Sequence, residues 1–429
     1  MATRRRVGYR IAAIASGGVL LASTACGGGG GGDADGKVTL TIETFGTFGY
    51  EELFKQYEED NPNVTIKERN VVQLDDYAPK LQQNIAAGSG TGDVVAIEEG
   101  LMVSFVAQPD KFVDLNEYGG AKLEDNFLDW KWEQGHSKDG KLIGLGTDIG
   151  GMAICYRTDR FEEAGLPTDR EKVGELWPTW EDFQKTGEEF KKEAKDDTAW
   201  VDSITQITGA RNMQNAEYTY FDKSDKLAIE SNPVIKESFD YSAGLAKDDL
   251  SAGLEPYTED WNAGIKEGAW ATMICPAWQL GHIEDTGGPD GKGKWDVAAV
   301  PGGGGNWGGS FLGVPAASEH PEEAAELAKF LSSPDGQIGA WEKRNNLPSS
   351  PQALESKEVQ EYKRPYFNDA PTGEIFGKNA AGLKPVYLGT KNQPVAQAVT
   401  DAMLSVDSGN ATPGEAWKKA VSDAERAAR

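Results

Sequence analysis

The sequence predicts an α/β protein built as two lobes, and three observations carry that prediction. Strand-like and helix-like segments alternate from Lys37 to Ile97, the same alternation resumes after Gly144, and the chain exceeds what one compact core holds. Of its 429 residues, 404 follow residue 25, which suits two lobes of ordinary domain size.

The elements follow in order. Lys37 to Glu43 alternates apolar and polar residues as a strand, and Tyr50 to Glu59 spaces Leu53, Phe54 and Tyr57 as a helix. Asn61-Pro62-Asn63 is a turn before the strand Val64-Thr65-Ile66. The amphipathic helix Tyr77 to Ala87 ends at Gly88 to Gly92, and the apolar run Asp93 to Ile97 is a buried strand. This order implies parallel pairs. After Gly140 to Leu145 come the strand Met152 to Tyr156 and helices from Asp159 to Ala164 and Trp180 to Lys192. A helix from Glu259 to Gly268 feeds the strand Trp270 to Ile274, and further strands are Trp295 to Val300 and Ser310 to Val314. A helix spans Pro321 to Leu331, and Thr412-Pro413-Gly414-Glu415 reads as a capping box with proline in the first turn. No short-period repeat appears, which argues against solenoids and propellers.

The first 25 residues read as an export signal: Arg4, Arg5, Arg6 and Arg10, an uncharged run from Ile11 to Leu21, then Ala22-Ser23-Thr24-Ala25 before Cys26. The run is shorter than the ~20 residues a bilayer span needs. Cys26 is the expected lipidation site, with Gly27 to Gly32 as a flexible stalk. Ser23 stands where most bacterial lipobox motifs carry leucine, so plain secretion remains open, as does the choice of general or twin-arginine export.

Composition bounds the partners. The hydrophobic fraction of 38% and the 12 tryptophans describe a folded body. The formal charge is −26, becoming −30 without residues 1–25. Such acidity argues against nucleic acid, whose phosphates need a basic face, and against a strongly anionic ligand. Cys155 and Cys275 both lie in strand-like runs; they can form a disulfide outside the membrane or remain two buried thiols. His136, His282 and His320 are far apart, and there is no Walker lysine, nucleophile elbow or zinc-type histidine pair. No metal or cofactor is expected.

Several blocks, taken in order and spacing, resemble the extracytoplasmic solute-binding proteins of ABC importers, in particular the oligosaccharide-binding family that includes the maltose-binding protein. They are Val38 to Ile42, Gly92 to Val95, Asp139 to Leu145, Gly151 to Phe161, Pro178 to Phe183, Gly268 to Met273, Pro276-Ala277-Trp278, and Gly313 through Leu331. The blocks Asp148 to Ala153 and Asn306 to Ser310 look most like the cello-oligosaccharide binders of actinomycetes. The resemblance implies the type II periplasmic-binding-protein fold, with each lobe a mixed, mostly parallel sheet flanked by helices and a hinge between lobes. The expected boundaries are 37–148 plus 311–357 for one lobe and 149–310 plus 358–429 for the other, after a tether at 26–36. It further implies a monomeric receptor, anchored by lipid outside the cell membrane, that clamps an oligosaccharide and hands it to permease subunits.

A sugar presents apolar ring faces and a rim of hydroxyls, so its site needs aromatic platforms with carboxylates or amides. Asp148 lies near an acidic ligand contact of the family, and Trp278 matches a stacking tryptophan. Trp307 and Asn306 stand among glycines, where no helix or strand accounts for an indole. Glu98 and Glu99 match a ligand-lining loop, although the tryptophan and aspartate–arginine pair of the maltose binders are absent. Asn215, Glu217, Tyr218 and Tyr220 fall where relatives place a glutamate and a tyrosine, with a plain strand as the alternative. Phe45 and Phe48 are candidate platforms with core packing as the alternative, and Gln393 sits in a late loop. The expected ligand is a β-linked gluco-oligosaccharide such as cellobiose or cellotriose, with xylobiose and chitobiose as rivals. With 69 acidic residues, a two-carboxylate glycosidase is the competing class.

Overall fold

A computed structural model describes residues 36–377 and 383–429. The signal segment, Cys26 and the glycine stalk lie outside the described residues.

The strands are β1 (Val38–Phe45), β2 (Val64–Val71), β3 (Val94–Glu98), β4 (Gly144–Gly146), β5 (Asp148–Ile149), β6 (Met152–Arg157), β7 (Ala199–Val201), β8 (Trp270–Pro276), β9 (Trp295–Ala298), β10 (Ser310–Gly313) and β11 (Leu347–Pro348). They form a five-stranded sheet ordered β2-β1-β3-β10-β4, a four-stranded sheet ordered β7-β8-β6-β9, and a small pair β11-β5. Helices flank both larger sheets. Leu40, Ile42, Val94 and Leu312 of the first sheet pack on Leu327, Ala328 and Leu331 of the helix Pro321–Leu331. Ile154 and Tyr156 of the second pack with Phe161, Trp177, Phe183 and Trp200.

The sheets are mixed, but not mostly parallel as expected. Only β1/β2, β1/β3 and β7/β8 run parallel; β10 opposes β3 and β4, and β6 opposes β8 and β9. The reason is topological. β10 enters the first sheet after the chain has crossed to the second and returned, so it arrives in the reverse direction.

Most expected elements are present within a few residues. β2 runs on to Val71 because every residue of β1 finds a parallel partner in it, from Val38↔Val64 to Phe45↔Val71. The capping box at the helix Pro413–Ala427 forms in both directions, Thr412 accepting from the Glu415 amide and Glu415 accepting from the Thr412 amide. Trp180, Trp270 and Trp341 are buried in the core, and Trp417 lies edge-on to Phe239.

Cys155 and Cys275 are joined by a disulfide, with their Cα atoms 5.4 Å apart. The bond ties β6 to its neighbour β8 and closes a sequence separation of 120 residues. Closing so long a loop restricts the unfolded chain, an effect of about 2–4 kcal/mol. Thiol titration of the denatured protein should therefore find no reaction at these two cysteines until reductant is added. The variant Cys155→Ala/Cys275→Ala should lose about 2–4 kcal/mol in denaturant unfolding.

Candidate functional site

The chain passes between the two large sheets through 147–151 and returns through 299–309, and these crossings lie side by side. Thr147 N donates to Ser310 O at 2.9 Å, Trp307 N to Gly150 O at 2.7 Å, and Met152 N to Gly305 O at 3.3 Å. The approach is so close that a Cβ on Gly150 would sit 1.7 Å from the Trp307 carbonyl oxygen. Only glycine fits there. The outer part of the return, Gly302 to Gly305, has positive φ throughout and is clamped by Gln214, whose side-chain amide reaches the carbonyls of Pro301 and Gly304.

Side chains reinforce the paired crossings. Asn306 accepts from Gly150 N at 2.8 Å and donates to Glu99 (3.0 Å to Oε2) and to Gly308 O (3.0 Å). Asp148 accepts from Thr147 Oγ1 at 2.7 Å and Ser310 N at 2.9 Å. Trp278 donates from its indole nitrogen to Trp307 O at 3.2 Å. These three residues therefore hold the crossings, and none of them lines the cavity beside them.

That cavity, of about 200 Å³, lies between the ends of the sheets. Glu98, Glu99 and Gly100 line one side, where β3 runs into the helix Glu99–Val106, and Trp307 and Gly308 line its edge. The opposite side comes from two helices. Ile204–Asn215 contributes Thr205, Thr208, Gly209 and Asn212, and Asn392–Asp407 contributes Asn392, Ala396 and Thr400. Thr219 and Tyr220 complete it. The Trp307 ring sits against Gly209, where a Cβ would come within 3.0 Å of the indole. The Oδ1 of Asn212 is buried with no hydrogen-bond partner among the described residues, an acceptor open to a ligand hydroxyl.

Of the sequence-derived candidates, the structure brings Glu98, Glu99, Tyr220 and Trp307 to the cavity. Phe45 and Phe48 pack on each other and on Tyr77 and Tyr50, away from its lining. Glu217 is exposed and Tyr218 half-buried; the lining residues of that stretch are Thr219 and Tyr220. Gln393 is displaced by its neighbour Asn392, which accepts from Thr219 Oγ1 at 3.2 Å.

The helix Ile204–Asn215 went unread because its cavity face is polar, so the apolar period is weak. The signal was a polar stripe, Thr205, Thr208 and Asn212, at helical spacing after the capping Ser203. Lys131 was missed as well, since nothing local in Asp129-Trp130-Lys131-Trp132-Glu133 marks its lysine as buried. In the structure its side chain is fully buried, with Nζ 3.8 Å from the Phe311 ring centroid.

Burial dominates the electrostatics. It pushes the Glu98 carboxyl up to about 7, with the Glu99 charge adding to the shift. Glu99 and Asp148 are also raised by burial, and for both the foremost opposing influence is the Lys131 charge. The cavity lining holds no lysine, arginine or histidine.

A family description, bacterial extracellular solute-binding protein, matches residues 52–366. The chain belongs to that family. Among solved structures, the solute-binding protein is similar to one described as extracellular solute-binding protein family 1, at 42% identity and TM-score 0.80, covering 91% of this chain and 100% of that one. It also resembles the ABC transporter-associated binding protein of B. animalis subsp. lactis Bl-04, solved with β-1,6-galactobiose, at 20% identity and TM-score 0.76, covering 91% and 99%. A curated relative is the arabinooligosaccharide-binding protein of Bacillus subtilis (strain 168), 26% identical over 94% of this chain and 95% of that protein. These are two-lobed binding proteins rather than enzymes, and the family is extracytoplasmic. No helix among the described residues is long and apolar enough to cross a membrane.

The raised Glu98 carboxyl has a consequence for the unliganded solute-binding protein. Below pH 4.5 both folded and unfolded chains hold its proton; as pH rises through about 7, the unfolded chain releases it first, so its contribution to stability is lost. The loss is on the order of 3 kcal/mol. Thermal unfolding between pH 4.5 and 8 should show a shallower decline in Glu98→Gln than in the wild type. Parallel profiles would contradict the assignment.

Proposed function

We propose that the protein is the extracytoplasmic receptor of an ABC importer and that it clamps a neutral, β-linked gluco-oligosaccharide, cellobiose or cellotriose, between its two lobes. The observation that carries the sugar reading is the lining of the cavity. Two carboxylates, two amides and a row of threonine hydroxyls converge beside the Trp307 indole, with no basic group among them. Hydroxyls need donors and acceptors, ring faces need a flat apolar surface, and an anionic sugar would need a cation that this lining lacks.

The choice of a β-linked glucose chain rests on the resemblance of the 148–153 and 306–310 blocks to cello-oligosaccharide binders, with xylobiose and chitobiose as rivals. The Bacillus subtilis relative favours a second reading, an arabino-oligosaccharide. A space of about 200 Å³ is below the ~300–1,000 Å³ of most ligand sites. A disaccharide therefore requires the helices Ile204–Asn215 and Asn392–Asp407 to part from Glu98–Gly100, as lobe opening would provide. The closed receptor would dock as a monomer on permease subunits. A lipid on Cys26 would hold it at the membrane, and intact mass measurement of the protein from its native membrane should show the acylated cysteine.

Titration calorimetry against cellobiose, cellotriose, xylobiose, chitobiose and arabinobiose tests the reading. Binding of a cello-oligosaccharide at micromolar affinity or better is expected, with Trp307→Ala weakening it at least about tenfold. A strong response to arabinobiose alone selects the second reading, and silence across the panel overturns the sugar assignment.

A further inference from the structure

Three carboxylates converge where the crossings meet the first sheet. Glu98 comes from the end of β3, Glu99 from the first turn of the following helix, and Asp148 from β5. Charges removed from water at this density neutralise by protonation unless a counter-charge is built in. Lys131, on the short helix Asp129–Gln134, lies beside them: Gln134 of the same helix binds Glu99, and the lysine Nζ lies against Gly309, next to the Ser310 amide that binds Asp148. It stands in no direct ion pair among the described residues, and its charge acts on Glu99, Asp148 and Glu98 in that order.

Its setting is built. The side chain is fully buried, so it is not a surface lysine reaching out to solvent. Two glycines, one beside each crossing, make room for it: a Cβ on Gly146 would lie 2.7 Å from Lys131 Cγ, and one on Gly309 would lie 3.1 Å from Nζ. The ammonium rests on the Phe311 face and has no hydrogen-bond partner among the described residues. It therefore acts on its neighbours by charge and is committed to no single one of them. Those neighbours are what fasten the crossings, since Glu99 holds Asn306 and Gln134, and Asp148 holds Thr147 and the Ser310 amide.

We propose that Lys131 is a positioning residue of the cleft: its buried ammonium is the shared counter-charge of Glu99 and Asp148, and through them it fixes the paired crossings that carry Trp307 to the cavity. This goes beyond the sugar reading and does not depend on which solute is bound.

The test uses the ligand-free mature chain, so that its outcome is separate from that of the sugar panel. Unfolding temperature is followed from pH 5 to 9 for wild type, Lys131→Met and Glu99→Gln/Asp148→Asn. Burial already raises both carboxyls, and without the opposing ammonium their folded pKa values rise further, so more stability is lost as pH rises than in the wild type. Lys131→Met should sit at least about 5 °C below wild type at pH 8 and recover toward pH 5. In the double variant the ammonium keeps only Glu98 and its folded pKa is lowered further, so above about pH 7, where Glu98 is ionised, stability is lost as pH falls; its slope there should be opposite to that of Lys131→Met. Hydrogen exchange at pH 8 should also be faster in Lys131→Met for peptides covering 147–151 and 306–310. Wild-type slopes in both variants, slopes of the same sign, or unchanged exchange would overturn the proposal. If Lys131→Met does not fold, the slope of the double variant decides alone.

Discussion

The pairing of the two crossings is the constraint on which the rest of the molecule depends. Each large sheet buries its own apolar cluster, and the sheets are joined by a short run of main-chain hydrogen bonds between 147–152 and 305–310 together with the β5–β11 pair. The run tolerates no side chain at Gly150, because the Trp307 carbonyl occupies that volume. A backbone contact this close is stiff. Its polar groups must be satisfied internally, and Asn306 does this with every hydrogen-bonding atom of its amide.

The position of the cavity follows. In open α/β sheets ligands gather beyond the carboxyl ends of strands, and β3 delivers Glu98 and Glu99 there directly. The second crossing delivers Trp307 from the other direction, with its indole braced on Gly209 and its carbonyl held by Trp278. The remaining wall belongs to helices that meet at Asp407, which ends one of them and accepts from Ser203 and Ile204 N at the start of the other and from Ser251 in a neighbouring loop. One carboxylate thus ties together the two helices whose polar faces look into the cavity.

The fold was legible where local rules are strong. The capping box at Thr412, the turn at Asn61 to Asn63, and the alternating runs of β1 and β3 all declare themselves in sequence. Sheet direction was not, because β10 is antiparallel only by virtue of where the chain has been, and no local propensity encodes that. At the site, residue type was legible and register was only partly so. Tyr220 lines the cavity as the sequence suggested, whereas Thr219 and Asn392 line it one place from Tyr218 and Gln393, a shift that turns the side chain to another face. Asp148 and Trp278 lie beside the cavity, where one carboxylate oxygen and the indole nitrogen hold the crossings. Lys131 could not be read at all, because burial of a lysine depends on glycines 15 and 178 residues away in sequence, Gly146 and Gly309.

The charge pattern argues for division of labour between adjacent glutamates. Glu99 faces Lys131, the foremost influence holding its carboxyl down, and it accepts hydrogen bonds from Gln134 and Asn306. Glu98 has Lys131 only as its weakest compensation and Glu99 as a repulsive neighbour, which leaves its carboxyl titrating at about 7. Glu98 therefore changes between donor and acceptor near neutral pH, while Glu99 is tied to the crossings through Asn306 and Gln134. A sugar hydroxyl both donates and accepts, so a carboxyl that titrates in this range can meet it in either sense. The cavity lining adds no lysine, arginine or histidine, so nothing in it offers an anionic group a counter-charge.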